Sequence, residues 1–96
     1  MTHQRIDYEI IANLIEPRST VLDLGCGQGE LLELLVSQKQ VMGIGIERDL
    51  EMVKKSLARG IAVIQRNIDE GLSNYEDHRF DVVVLSLTLQ ALKYPH

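Results

Sequence analysis

The chain has 96 residues, 45% of them hydrophobic and 25% charged, which is the size and mixture of one globular domain and excludes a disordered tail, a collagen-like fibre or a low-complexity linker. Ten Lys+Arg against fourteen Asp+Glu give a formal charge of −4, a balance that repels phosphate backbones and anionic lipid and so argues against nucleic acid or membrane as partner. The lone Cys26 cannot close an internal disulfide, the first residues hold no apolar signal-peptide core, and the apolar run Val82–Leu85 falls far short of a membrane span. The expectation is a cytoplasmic location, with a core small enough to make stability marginal.

In chain order, residues 5–15 place Ile6, Ile10, Ile11, Leu14 and Ile15 at helical spacing. Pro17 ends that helix, because the residue before a proline is pushed out of the α region. Val21-Leu-Asp-Leu24 reads as a short strand running into Gly25-Cys-Gly-Gln-Gly29. From Glu30 onward Leu31, Leu32, Leu34, Leu35 and Val36 are too dense for one exposed face, so a largely buried helix is expected. A second strand spans Val41–Ile46, with Gly43 and Gly45 removing bulk from one face. Asp49 suits the N-cap of a third helix and Gly60 its left-handed terminus. Ile61–Ile64 is a third strand, residues 66–79 a polar loop, and Phe80–Leu85 a fourth strand before Ser86 and a mixed tail.

Strands alternating with helices at this spacing imply right-handed βαβ units and a parallel sheet. Near-continuous apolar strands fit a sheet covered on both faces. The fold class is α/β, a three-layer, doubly wound, Rossmann-like sheet, in a single domain over residues 1–96.

The chemistry is concentrated in Asp23-Leu-Gly-Cys-Gly-Gln-Gly29, placed between a strand and a helix. Glycines allow the backbone a tight turn and close approach to a ligand, although many turns need them for structure alone. The helix that follows offers unpaired N–H groups and a partial positive charge. Glu47 lies twenty residues beyond Gly27 at a strand end, where a carboxylate can accept hydrogen bonds from vicinal ribose hydroxyls. A solvated strand-end charge is the alternative for Glu47. A dinucleotide loop G-x-G-x-x-G would have its third glycine at position 30, which is Glu30 here, and a glutamate there opposes a pyrophosphate. Asp23 ahead of the loop also favours a cationic or zwitterionic ligand, and no Gly-Lys-Ser/Thr follows to make a phosphate loop. A ribose, an adenine and a cationic amino-acid tail suit the pattern; an NAD-binding domain is the less favoured alternative.

Val21-Leu-Asp-Leu-Gly-Cys-Gly-Gln-Gly29, with Gly45-Ile-Glu47 and Phe80-Asp81, resembles the class I S-adenosylmethionine-dependent methyltransferases. More narrowly, Arg5-Ile-Asp-Tyr-Glu-Ile-Ile, Gly25-Cys-Gly-Gln-Gly-Glu-Leu-Leu, Gly43-Ile-Gly-Ile-Glu, Gly71-Leu and Leu85-Ser-Leu-Thr-Leu-Gln-Ala91 resemble the methionine biosynthesis protein MetW family. The resemblance spans nearly the whole chain. It implies S-adenosylmethionine or S-adenosylhomocysteine as cofactor and a homoserine O-acyltransferase as partner. By that resemblance Gly25, Cys26, Gly27 and Gly29 would wrap the methionine part, with Asp23 behind them, and Glu47 would take the ribose hydroxyls. Asn67 stands where the superfamily usually has an aspartate for the adenine amino group, Ile68 would pack on the ring, and Arg48 occupies a place often apolar. Ser86 could contact the ligand, or simply be a polar strand end.

The resemblance also implies a sheet of about seven strands, of which this chain would supply four in the order 3-2-1-4. That would be the N-terminal half of the fold, with Val82–Leu85 at an exposed edge, and would predict either a fragment or self-association through that strand. Strands that normally help form an acceptor pocket would be missing, so no turnover is expected of this chain alone. The segment after the fourth strand, Ser86-Leu-Thr-Leu-Gln90, is not the Asn/Asp-Pro-Pro-aromatic motif of amino-methylating members. No catalytic residue is assigned, and no metal site. His3, His78 and His96 read as solvated, and Cys26 as a small spacer whose pKa a helix N-terminus could lower. Two uses of the fold stay open: a small-molecule methyltransferase, or a non-catalytic activator or scaffold of the acyltransferase.

Overall fold

The structure is a computed structural model that describes residues 3–67, 80–86 and 90–93. Helix α1 (His3–Leu14) precedes strand β1 (Thr20–Leu24), helix α2 (Glu30–Lys39), strand β2 (Met42–Glu47) and helix α3 (Leu50–Ala58). Strands β3 (Val63–Gln65), β4 (Val82–Leu85) and β5 (Gln90–Lys93) follow. Among the described residues no helix is long and apolar enough to cross a membrane.

The sheet runs β3-β2-β1-β4-β5. The first four strands are parallel and reproduce the expected order 3-2-1-4. β5 adds to β4 in antiparallel register, Val84 opposite Ala91 and Leu85 opposite Gln90. The expectation that Val82–Leu85 forms an exposed edge is therefore corrected, and self-association through it loses its basis. Val82, Val83 and Val84 are buried, as their unbroken apolar run demands, and the strand that shields them lies in what read as a mixed tail.

Alternation along the strands divides the core in two. Val21, Val82 and Val84 face Ile11 and Ala12 of α1, Ile15 just after it, and Leu31, Leu32 and Leu35 of α2. Leu22, Leu24, Ile46 and Val83 form a second cluster with Phe80. The buried stripe of α1 is narrower than its apolar residues suggest, since Ile10 and Leu14 lie more than half exposed. Gly43 and Gly45 act as expected: a β-carbon on Gly43 would come within 2.7 Å of a Leu32 methyl, and one on Gly45 would run into the Cys26 side chain. Missing side chains in β2 thus let α2 and the loop before it settle onto the sheet. Asp49 caps α3 by accepting the Glu51 N–H at 2.9 Å, and Gly60 ends the helix at φ +82°.

Candidate functional site

The site lies at the carboxyl ends of the parallel strands, beside the point where connections from β1 and β4 diverge, the place where open α/β sheets bind ligands. β1 ends at Leu24, and three alternate glycines then take left-handed backbone angles, Gly25 at φ +76°, Gly27 at +58° and Gly29 at +81°. The loop hangs on the end of β2, because the N–H groups of Gly25 and Cys26 both donate to the Ile46 carbonyl, at 2.8 and 3.1 Å.

Glu47, the next residue of β2, reaches back to the loop. Its Oε1 accepts the Gly27 N–H at 2.9 Å and its Oε2 accepts the Asp49 N–H at 2.9 Å. One carboxylate therefore joins the middle of the glycine loop to the start of α3. The twenty-residue spacing seen in the sequence is a direct contact, and Glu47 is half-buried with both carboxylate oxygens hydrogen-bonded. From the other side Ser56 of α3, fully buried, donates its hydroxyl to the Gly27 carbonyl at 2.8 Å. Both peptide groups flanking Gly27 are thus fixed, while the position of its absent β-carbon opens into space with no atom within 4 Å. Gly29 has a different task. A β-carbon there would meet Ser56 Oγ at 3.0 Å and Ile61 at 3.3 Å, so it serves the packing of α3. It is also the N-cap of α2 and gives that helix no side-chain cap, leaving the first N–H groups of the helix without a side-chain acceptor.

Asp23 lies under this loop with no exposure to solvent. Its Oδ1 accepts a short hydrogen bond from Ser86 Oγ, and its Oδ2 is buried without a hydrogen-bond partner among the described residues. Burial raises its pKa to about 7, with the Glu47 charge adding to the rise and the Ser86 hydrogen bond opposing it. Cys26 is buried too, and burial together with Asp23 pushes its thiol up to about 12. The idea that the helix terminus activates Cys26 is thus corrected; the thiol is a spacer under Gly45. Tyr8 of α1 also has a raised pKa, from burial, then from Glu30 and Asp23.

Of the ten residues singled out in the sequence, Asp23, Gly25, Cys26, Gly27, Gly29, Glu47 and Ser86 come together in one hydrogen-bonded unit or its immediate packing. Arg48 and Asn67 are exposed at the ends of β2 and β3. Arg48 contributes its carbonyl, which accepts from Gln65 Nε2 at 3.1 Å. Ile68, His78, His96 and most of the 66–79 loop lie outside the described residues, as do residues 87–89. Asp81 does not belong to the site. Its Oδ2 accepts from the Thr20 N–H at 2.9 Å and the Thr20 hydroxyl at 3.1 Å, stapling β4 to β1 at the opposite end of the sheet. Sequence reasoning missed Ser56, although a small polar residue three positions after Val53, on the inward side of α3, was a signal for it.

A family model described as "Methionine biosynthesis protein MetW" matches residues 5–96. The chain belongs to the MetW family. This MetW-family chain is 36% identical over 96 residues to the bifunctional methionine biosynthesis protein MetXA/MetW of Rhodopirellula baltica, an alignment covering 92% of the chain and 15% of that relative. Its fold is similar to that of a SAM-dependent methyltransferase from Archaeoglobus fulgidus, at 26% identity and a TM-score of 0.68, over 84% of this chain and 37% of that one. An RNA methyltransferase from Salinibacter ruber, crystallised with S-adenosylhomocysteine, superposes with a TM-score of 0.70 at 23% identity, over 88% of this chain and 59% of that one. The fold is thus the class I methyltransferase fold, and the chain spans only part of each of these proteins.

Proposed function

We propose that this MetW-family chain binds S-adenosylmethionine or S-adenosylhomocysteine between the glycine loop and Glu47, in the service of methionine biosynthesis. The observation that carries the proposal is Glu47, held against the Gly27 N–H beside a backbone position left open by the missing side chain. A carboxylate has about four acceptor positions; two are filled by Gly27 and Asp49, which leaves two for the vicinal hydroxyls of a ribose. The unpartnered oxygen of Asp23 fits a ligand with a cationic amino-acid tail. Glu30 and Glu33 in the first turn of α2 oppose a pyrophosphate, against an NAD site. By the family resemblance Asn67, exposed beyond the end of β3, would accept from an adenine amino group through its carbonyl, with Arg48 nearby; the ring-packing role expected of Ile68 falls outside the described residues. The ligand would supply a sulfonium methyl group; this chain's residues bind and orient it.

Two uses of such binding remain, methyl transfer and activation of a homoserine O-acyltransferase. The relative that carries MetXA and MetW in one chain supports the second. The test is calorimetric titration with S-adenosylhomocysteine. Glu47→Gln, which keeps one acceptor oxygen, is expected to weaken binding by about 1.5–3 kcal/mol, the value of hydrogen bonds to a charged group. Equal affinities of parent and variant, or no binding by the parent, overturn the assignment. Stimulation of the acyltransferase without methyl transfer to a cell extract selects the activator; labelled product selects the enzyme.

A further inference from the structure

β3 is the last strand of the sheet on its side, and among the described residues no strand pairs with its outer edge. The Ala62 carbonyl accepts the Gly45 N–H at 2.9 Å, and the Arg66 N–H donates to the Glu47 carbonyl at 3.1 Å. Alternation along the strand then turns the N–H and C=O groups of Val63 and Gln65 outward. Residues 61–65 carry neither a charge nor a proline, the usual means of blunting an edge. Beside this edge α3 rides over β3 and β2. Its Leu50, Lys54 and Leu57, at i, i+4 and i+7, form one stripe, with the two leucines 48% and 55% exposed. Arg59 on the opposite side of the helix reaches Glu33 of α2, and Ser56 faces the glycine loop. The stripe therefore looks away from α2, to the side where the sheet ends.

We propose that β3 and α3 together form a self-complementary surface through which two copies of this chain pair about a two-fold axis normal to the sheet. An axis at Ile64 sets β3 antiparallel to its copy, with Val63 of each opposite Gln65 of the other, an isologous contact that extends the sheet. The same axis brings both α3 helices onto one face. Paired strands lie about 4.8 Å apart, so helices seated over the strands beside the axis come to about 10 Å, a normal packing distance. Leu50 of one helix then faces Leu57 of the other. Charge agrees with the antiparallel sense. α3 has Glu51 in its first turn and Lys55 in its last, so the two helices oppose unlike charges and unlike dipole ends. Lys54, paired with Glu51 at 3.4 Å, keeps its ammonium at the rim. A three-residue strand and two leucines per copy are small beside the roughly 800 Å² per partner of a standard interface. The dimer is therefore weak, in the micromolar range or above.

The test is sedimentation equilibrium of the ligand-free 96-residue chain from about 5 to 500 µM. Monomer and dimer in exchange are expected, with no larger species, because an isologous contact closes at two. Gln65→Pro removes an outward N–H and leaves the ladder to β2 in place. Leu57→Glu puts a charge into the leucine contact. Each is expected to raise the dissociation constant about tenfold or more. Leu14→Glu on α1, a leucine of similar exposure at 51%, is expected to leave it unchanged, which separates this surface from general apolar association. A monomer throughout the range overturns the proposal and assigns the face to a different protein. Species that keep growing with concentration, equal weakening by Leu14→Glu, or an unaltered dissociation constant in either the Gln65 or the Leu57 variant also overturn it.

Discussion

Asp23 sets a demand on the protein even without ligand. Its native pKa of about 7 lies above the ordinary 3.8, so between those values the folded chain holds a proton that the unfolded chain has released. Stability linked to this group is therefore fully present at low pH and lost as pH rises through about 7, the reverse of the usual salt-bridged carboxylate. The ceiling on the slope is about 1.4 kcal/mol per pH unit. Urea unfolding of the ligand-free chain at pH 5.5, 6.5 and 7.5 should show stability falling with pH, and Asp23→Asn should flatten the trend. Histidine side chains ordinarily titrate in the same window, which is why the comparison with the Asn variant decides it. A parent and a variant with parallel trends would show that Asp23 is not the group responsible.

The glycine loop owes its shape to elements on either side of it more than to its own glycines. β2 supplies Ile46 O and Glu47, and α3 supplies Ser56; together they fix the loop by four hydrogen bonds to its backbone. Ser56→Ala removes the donor to Gly27 O while leaving the packing against Gly29 nearly intact. The expected cost is about 1 kcal/mol, which in a domain of this size lowers Tm by roughly 4–8 °C. S-adenosylhomocysteine affinity should fall as well, because a looser loop has more order to lose on binding. Differential scanning calorimetry with and without ligand reads both, and an unchanged Tm with unchanged affinity would remove Ser56 from the site. This division between loop and supports explains what was legible in the sequence. Gly25, Gly27, Gly29 and Glu47 could be read because backbone angle and strand-end position are local properties with a fixed spacing. The α3 cap at Asp49 and the stop at Gly60 are local for the same reason. Ser56 contacts a residue 29 positions away, and no periodicity carries that. Cys26 was legible as a small spacer, but its neighbours in sequence suggest a lowered pKa, whereas in space burial, then Asp23, raises it.

At the scale of the whole molecule, the parallel order β3-β2-β1-β4 followed from alternating strands and right-handed crossovers, but β5 did not. Gln90–Lys93 has no apolar run of its own and becomes a strand because β4 offers it a row of unpaired N–H and C=O groups. Whether β4 is an edge or an interior strand therefore depends on the four residues of β5. A chain ended after residue 89 loses the β4–β5 ladder and presents β4, with Val82, Val83 and Val84, as an open apolar edge. Such an edge is a template for pairing with another copy. Sedimentation velocity over a concentration series is expected to show the shortened chain moving to larger species while the 96-residue chain does not follow it to the same extent. The glycine loop and Glu47 lie on β1 and β2, away from β5, so S-adenosylhomocysteine binding by whatever fraction stays monomeric should persist. A shortened chain that sediments like its parent at every concentration would mean that β4 needs no cover.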